Sequence, residues 1–283
     1  MPATELTLGV TLAVLGAGFL HALWNALLKS AAGDPILDTA LIVAGSSAVA
    51  LAVLPFAGVP ARAAWPFIAL SAVVHFGYYI TLAGAYHRAD LSFAYPLMRG
   101  VAPLIVTLLG VLFLGEHPGA KTLTGIALIS IGIIVIAWFA SGRHPLAAAG
   151  WALSNAAIIA AYTLVDGAGV RASGNAPGYV TWLIFLEGLP FLVWIYARRG
   201  PAAARYIGSR WRRGIAGGAA SLAAYGIVLW AMTRAPVAVV AALREVSVLF
   251  AALIGSLVLK EGFGWRRMAG AATVVAGVAA LKL

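Results

Sequence analysis

Residues 99–132 read RGVAPLIVTLLGVLFLGEHPGAKTLTGIALISIG, and residues 244–277 read REVSVLFAALIGSLVLKEGFGWRRMAGAATVVAG. Shifted by 145 residues and laid over one another without a gap, the two stretches agree at 12 of 34 positions. Arg99 falls on Arg244, Leu114 on Leu259, Glu116 on Glu261, Gly125 on Gly270 and Gly132 on Gly277. Two apolar stretches agree often at leucine or valine by composition alone. Agreement at a lone arginine, a glutamate and two glycines seven apart is not explained that way. The chain is internally repeated, and the meaning of the repeat depends on how many times the chain crosses a membrane between its copies.

That it crosses one follows from composition. Of 283 residues, 63% are hydrophobic and 10% charged, and the mean hydropathy is +0.98. A soluble globular chain carries roughly 25% charged residues, and there is no polar run of the kind that stays disordered. A hydrocarbon core of about 30 Å takes ~20 helical residues to span. Apolar runs between charged or Pro/Gly punctuation predict ten spans, near 6–28, 36–56, 64–86, 91–114, 122–140, 146–166, 177–197, 214–233, 237–259 and 265–281. Period-2 alternation is absent, and an open sheet edge in lipid would leave backbone groups unpaired. The predicted class is therefore an all-α polytopic membrane protein, a single integral unit. Five spans per copy is an odd number, so residues 146–283 enter the membrane from the side opposite to residues 1–145. That is an inverted repeat, the arrangement that serves alternating access about a midplane site. The first span is preceded by Glu5 and no positive residue, so it is not expected to be a cleavable signal peptide.

The 5+5 layout resembles the EamA family of the drug/metabolite transporter superfamily over essentially the whole chain. Leu-Gly-Glu at 114–116 is echoed by Leu-Lys-Glu at 259–261, glycine-bearing helices follow each, and His21-Ala22-Leu23-Trp24-Asn25 opens the chain as in some members. The resemblance implies a multi-pass secondary transporter of the inner cell membrane, working in efflux, for small metabolites such as amino acids, aromatic ones among them. The copies depart from each other at Gly100 against Glu245 and Pro103 against Val248. Those departures predict that the two halves are not equivalent at the site.

Ionisable side chains at bilayer depth are expensive and by default face a bundle interior or a wet cavity. Here they are His21, His75, Arg99, Glu187, Arg244 and Glu245. Arg99 and Arg244 each lie about 12 Å along their helices, and inverted halves bring them to opposite sides of the midplane. An arginine there can grip a carboxylate or phosphate with its planar fork. It can equally neutralise Glu187 or Glu245 and only lock helices together. Arg244 and Glu245 are sequence neighbours about 100° apart, so they are not expected to cancel each other. Arg99 has no adjacent acid, and Pro96 and Pro103 loosen its helix, so it is expected to be the freer of the two.

Glu187, at the centre of its span, could load and release a coupling proton, or pair with an arginine; Glu245 is the second coupling candidate. Ser71, His75, Tyr78 and Tyr79 fall at i, i+4, i+7 and i+8 and share one helix face. They could wall a cavity for an amphipathic or aromatic solute, or serve as interhelical hydrogen bonds and packing. Trp24 and Asn25 beside His21, Tyr95 ahead of Arg99, and Tyr162 with Asn155 are the remaining wall candidates, with the same alternative. Gly125, Gly132, Gly270 and Gly277 are expected to let spans 5 and 10 approach closely.

The basic excess (19 − 9 = +10) sits mainly in loops. Loops after spans 1, 3, 5, 7 and 9 carry twelve Lys/Arg, including Lys29, Arg143, Lys260 and the run Arg198, Arg199, Arg205, Arg210, Arg212 and Arg213. The termini and the other loops carry five. The positive-inside rule then puts both termini outside, whereas the family resemblance implies both inside. The arginine run reads as a loop meeting anionic headgroups, not a nucleic-acid patch. No Walker loop, zinc helix or nucleophile elbow is present, and there is no cysteine, so no catalytic residue, metal or cofactor is expected. The expected partners are a small-molecule substrate, the lipid bilayer and protons, as monomer or homo-oligomer. A rival reading is an intramembrane enzyme or lipid-handling protein that turns Arg99, Glu187 and Arg244 on a lipid phosphate. Such an enzyme needs its acids and histidines gathered on one leaflet side, and here the charges are spread over inverted halves. A scaffold without transport would not need charges at depth.

Overall fold

Proline and capping side chains cut the apolar runs into helices. In the computed structural model, residues 6–29, 34–88, 91–139, 146–259 and 264–282 are described, and among them the chain is helical, with no strand. Helix α1 is Leu8–Lys29; α2 is Pro35–Ala57; a 3₁₀ turn over Arg62–Ala64 leads into α3, Trp65–Arg88; α4 is Leu91–Leu114 and α5 Ala120–Trp138. In the second half α6 is Leu146–Ala172, α7 Ala176–Arg199, α8 Pro201–Ser209, α9 Trp211–Met232, α10 Val237–Arg244, α11 Ser247–Leu259 and α12 Trp265–Lys282. Asp34 starts α2 by accepting the Ile36 N–H at 2.9 Å, and Asn175 starts α7 by accepting that of Gly178 at 3.1 Å. Both satisfy N–H groups that a first helical turn leaves unpaired. Arg143, Lys260 and Glu261, named above, lie outside the described residues.

Among the described residues nine stretches are long and apolar enough to span a membrane. They are α1 to α7, α9, and the run from Val237 to Ile254 across α10 and α11. The tenth predicted span is α12, whose ends carry Arg266, Arg267 and Lys282 and so dilute its apolar character. It packs along α5. A Cβ placed on Gly125 would meet the Gly277 carbonyl, and one placed on Gly132 would meet that of Gly270. The repeat equates Gly125 with Gly270 and Gly132 with Gly277, so the contacts are crossed. The two helices therefore run antiparallel about an axis perpendicular to both, and the repeat is inverted. Only hydrogen at these four positions lets the backbones come so close.

The remaining packing obeys the same axis. Helix α3 packs on α6 as α9 packs on α1, and α4 packs on α6 as α11 packs on α1. Helices α2 and α7 face each other across it. The connections sort into two faces. On one, Asn175 donates to the Ala57 carbonyl at 2.8 Å, and the Ala61 N–H bonds the Ser173 carbonyl at 3.0 Å. On the other, Arg199 pairs with Asp34 at 3.0 Å and the Tyr206 hydroxyl of α8 donates to Asp38 at 2.6 Å. Burial and this bond push the Tyr206 hydroxyl up to about 12. The outer surface carries large apolar side chains: Leu112 is 64% exposed and Val193 67%. Patches of that kind mark a surface that meets lipid or protein instead of water.

Candidate functional site

The span predicted over 237–259 is not one helix. Helix α10 ends at Arg244 and α11 starts at Ser247. Between them the Glu245 and Val246 N–H groups reach back only three residues, to Ala242 and Leu243, at 3.1 and 3.2 Å, and Val248 and Leu249 do the same to Glu245 and Val246. Four such tightened turns mark a local 3₁₀ step. The segment is buried, and irregular backbone at membrane depth is tolerated where protein surrounds it.

The step frees the Glu245 side chain from the helical stagger, and this overturns two expectations. Glu245 is wholly buried and pairs with both arginines: Arg99 through Nε to Oε2, and its own neighbour Arg244 through Nε to Oε1 at 3.3 Å. Arg99 is thus not free of an acid, because the acid comes from the other half of the molecule. Arg244 and Glu245 do face each other, because they do not share a continuous helix. Two guanidinium groups on one carboxylate leave one net positive charge at this point, and Arg99 Nη2 has no hydrogen-bond partner among the described residues. The Arg99 guanidinium also lies 5.8 Å from the Tyr95 ring centre. Helix α4 runs unbroken through Pro96 and Pro103.

Glu187 pairs with neither arginine. Its Oε2 lies 3.2 Å from His75 Nδ1, and its Oε1 accepts the Tyr79 hydroxyl at 3.3 Å. His75 Nδ1 is also 3.0 Å from the Ser71 carbonyl and 3.0 Å from the Ser71 hydroxyl. A carbonyl and a carboxylate only accept, so Nδ1 is the nitrogen that carries the proton in this arrangement. The imidazole stacks on Tyr162 at 4.2 Å between ring centres, with Tyr78 and Tyr225 edge-on at 6.1 and 6.2 Å. On α1 the Trp24 indole donates to His21 Nδ1 at 3.3 Å, and Asn25 Nδ2 donates to the His21 carbonyl at 2.8 Å.

These groups meet around one cavity of about 120 Å³ between the halves. The first half contributes Trp24, Asn25, His75, Tyr78, Tyr79, Tyr95 and Arg99; the second contributes Tyr162, Glu187 and Arg244. Glu245 stays behind the arginines and does not reach the cavity. Asn155 reaches it, with its amide nitrogen joining α6 to α3 by donating to the Tyr78 carbonyl at 3.1 Å and to Thr81 at 2.8 Å, while its amide oxygen has no hydrogen-bond partner among the described residues. Sequence reasoning missed Asp166 and Tyr225. The predicted sixth span stopped at 166, but α6 runs on to Ala172 and buries Asp166 completely. The signal was present, since Gly167, Gly169 and Val170 continue the apolar run and Asp166 follows Tyr162 by four residues.

A second feature lies at the face that carries the 115–119 turn. Gly115, at φ +63°, lets the chain reverse after α4. Glu116 then accepts the first N–H groups of α10, from Val237 at 2.6 Å and Ala238 at 3.2 Å. Arg171 holds the preceding turn, donating to the Met232 carbonyl at 2.8 Å and that of Ala235 at 3.0 Å. The glutamate of the first Leu-Gly-Glu motif is therefore the cap of the broken helix.

Comparison with known proteins bears on the whole chain. The family described as EamA-like transporter family matches twice, over residues 7–138 and 146–283. No curated protein matches. A solved chain titled only "Crystal structure of protein" is similar at a TM-score of 0.72 and 17% identity, over 96% of this chain and 94% of that one. At that identity the likeness shows the fold alone.

Proposed function

The chain belongs to the EamA-like transporter family, and from that premise we propose that it is a secondary active exporter of a small amphipathic or aromatic metabolite, amino acids included. The repeats 1–145 and 146–283 rock against each other and expose the central cavity to one side of the inner membrane and then to the other. The observation that carries this reading is the position of the cavity. It lies between the inverted halves, and Arg99 from one half and Arg244 from the other line it while sharing Glu245. A volume of about 120 Å³ is below the ~300–1,000 Å³ of ligand-sized pockets, so the halves must part to admit a solute. The tyrosines supply an apolar wall with polar tips, and the shared arginines supply an anchor for a negatively charged group. By the positive-inside rule the face that bears α8 and its arginines is cytoplasmic.

Glu187 is the coupling group in this proposal. It is buried at membrane depth beside an imidazole and a phenol, with no permanent cation on it. The test is counterflow in proteoliposomes loaded in turn with amino acids, nucleosides and organic anions. At least one class should exchange. Glu187→Gln should then abolish accumulation driven by a pH gradient and leave counterflow measurable. Unimpaired pH-driven accumulation in that variant would remove Glu187 from the coupling role.

A further inference from the structure

Asp166 has no part in the reading above, and it is fully buried behind Tyr225 of the cavity wall. It accepts the Tyr179 hydroxyl at 3.0 Å and the Tyr225 hydroxyl at 2.5 Å. Among the described residues no cation forms an ion pair with it. The Ser71 hydroxyl also faces it. Ser71 and His75 are one turn apart on α3, and His75 holds Glu187. Residues at i and i+4 on a helix are separated by roughly 5–6 Å. The two carboxyls, from α6 and α7, therefore flank one turn of α3, each hydrogen-bonded and neither paired to an arginine. A carboxylate without a cation is costly to bury, and two in one such place oppose each other's ionisation.

We propose that Asp166 and Glu187 form a single proton-binding pair that holds one proton between them across the Ser71–His75 turn. The pair deepens the transport reading, on which it rests for its purpose: the coupling site then spans α6 and α7 and is closed by α3 of the other half. The groups that face it are known. From α3 come Tyr79 and His75, from α6 Tyr162, from α7 Tyr179, from α9 Tyr225, and Arg244 of α10 lies nearby without pairing. Arg99 and His21 stand across the cavity, with Glu245 held by the arginines. None of them offers either carboxyl a permanent ion pair, so neither negative charge is offset in place and the charge of each acid bears on the other.

The pair can be tested without any transported solute. Dicyclohexylcarbodiimide reacts with protonated carboxyls in an apolar setting, and peptide mass spectrometry locates the adduct. On the purified full-length protein over roughly pH 5–9, we expect one adduct per chain, on Glu187 in some molecules and on Asp166 in others. In Asp166→Asn the pH profile of Glu187 labelling should move toward acid by about one unit or more, because a like charge is gone. In Glu187→Gln the Asp166 profile should move equally, as linkage is reciprocal. The second variant decides the matter if the first does not fold. Double adducts on one chain, unmoved profiles, or no labelling of either acid would each overturn the pair. Failure of counterflow with shifting profiles would sink the transport reading alone; counterflow with unmoved profiles would sink the pair alone.

Discussion

Helix α4 contains two prolines and remains one helix; its counterpart in the repeat contains none and breaks into α10 and α11. The positions that answer to Pro96 and Pro103 are Ala241 and Val248. Proline at 103 does remove the N–H that would bond the Arg99 carbonyl, and Thr107 turns its hydroxyl onto the Pro103 carbonyl at 2.7 Å, but the helical path survives. The break in the other copy coincides with a buried charge. Glu245 there reaches two guanidinium groups on two helices, Arg99 on α4 and Arg244 on α10. Proline content thus does not tell which of two repeated helices is discontinuous. The break falls instead at the acid that only one copy carries, Glu245 against Gly100.

The largest effect expected from this difference is at the acid. Glu245→Gln leaves Arg99 and Arg244 buried side by side without a counter-ion, a loss of about 3–5 kcal/mol in stability. Thermal unfolding of purified protein measures it. Gly100→Glu, which makes the first copy resemble the second, should not rescue it, since a Cβ at 100 already meets Ile134 at 2.9 Å. A Glu245→Gln protein as stable as wild type would dissolve the contrast between the two helices.

The next effect concerns binding and sharpens the comparison. Since both arginines share Glu245, Arg99→Ala and Arg244→Ala should weaken binding of the solute found by counterflow to a similar degree. Each should lose about tenfold to a hundredfold, the worth of a charge-assisted bond of ~1.5–3 kcal/mol. The comparison is to be made at matched folded fractions. A large loss in Arg99→Ala alone would restore the asymmetry that the sequence by itself predicts.

Much of this arrangement is legible in the sequence. Ten apolar runs, the 145-residue shift and charges at depth lead to an inverted all-helical bundle, because period, length and the cost of a charge in lipid are local properties. The i, i+4, i+7 face of α3 likewise brings His75, Tyr78 and Tyr79 to one side without knowledge of any partner. The pairing of the charges is not legible in this way. Whether Glu245 serves Arg99, or Glu187 serves His75, depends on which helices lie side by side, and one sequence holds no record of that. Asp166 was hidden by an error of one and a half turns in a span boundary. The 3₁₀ step after Arg244 has no proline or glycine to announce it.

The smallest effect is at the far end of the broken helix. Helix α10 is short, and Glu116 caps its first N–H groups. Glu116→Ala should lower stability by about 1 kcal/mol, seen as a modest drop in the unfolding temperature. Glu116→Gln should recover part of it, since an amide oxygen still accepts. No change in either variant would mean that α10 holds its position through its packing on the neighbouring helices, α4 and α1 foremost, without the cap.

The claim on which the rest depends is that the cavity between the inverted halves opens to both sides of the membrane. The chain has no cysteine, so a single Ser221→Cys, on the cavity wall, is read against no background. A membrane-impermeant thiol reagent is applied to sided vesicles, first from one face and then from the other. Alternating access predicts labelling from both faces, with the solute found by counterflow changing the ratio between them. Labelling from one face only, with and without solute, would contradict it.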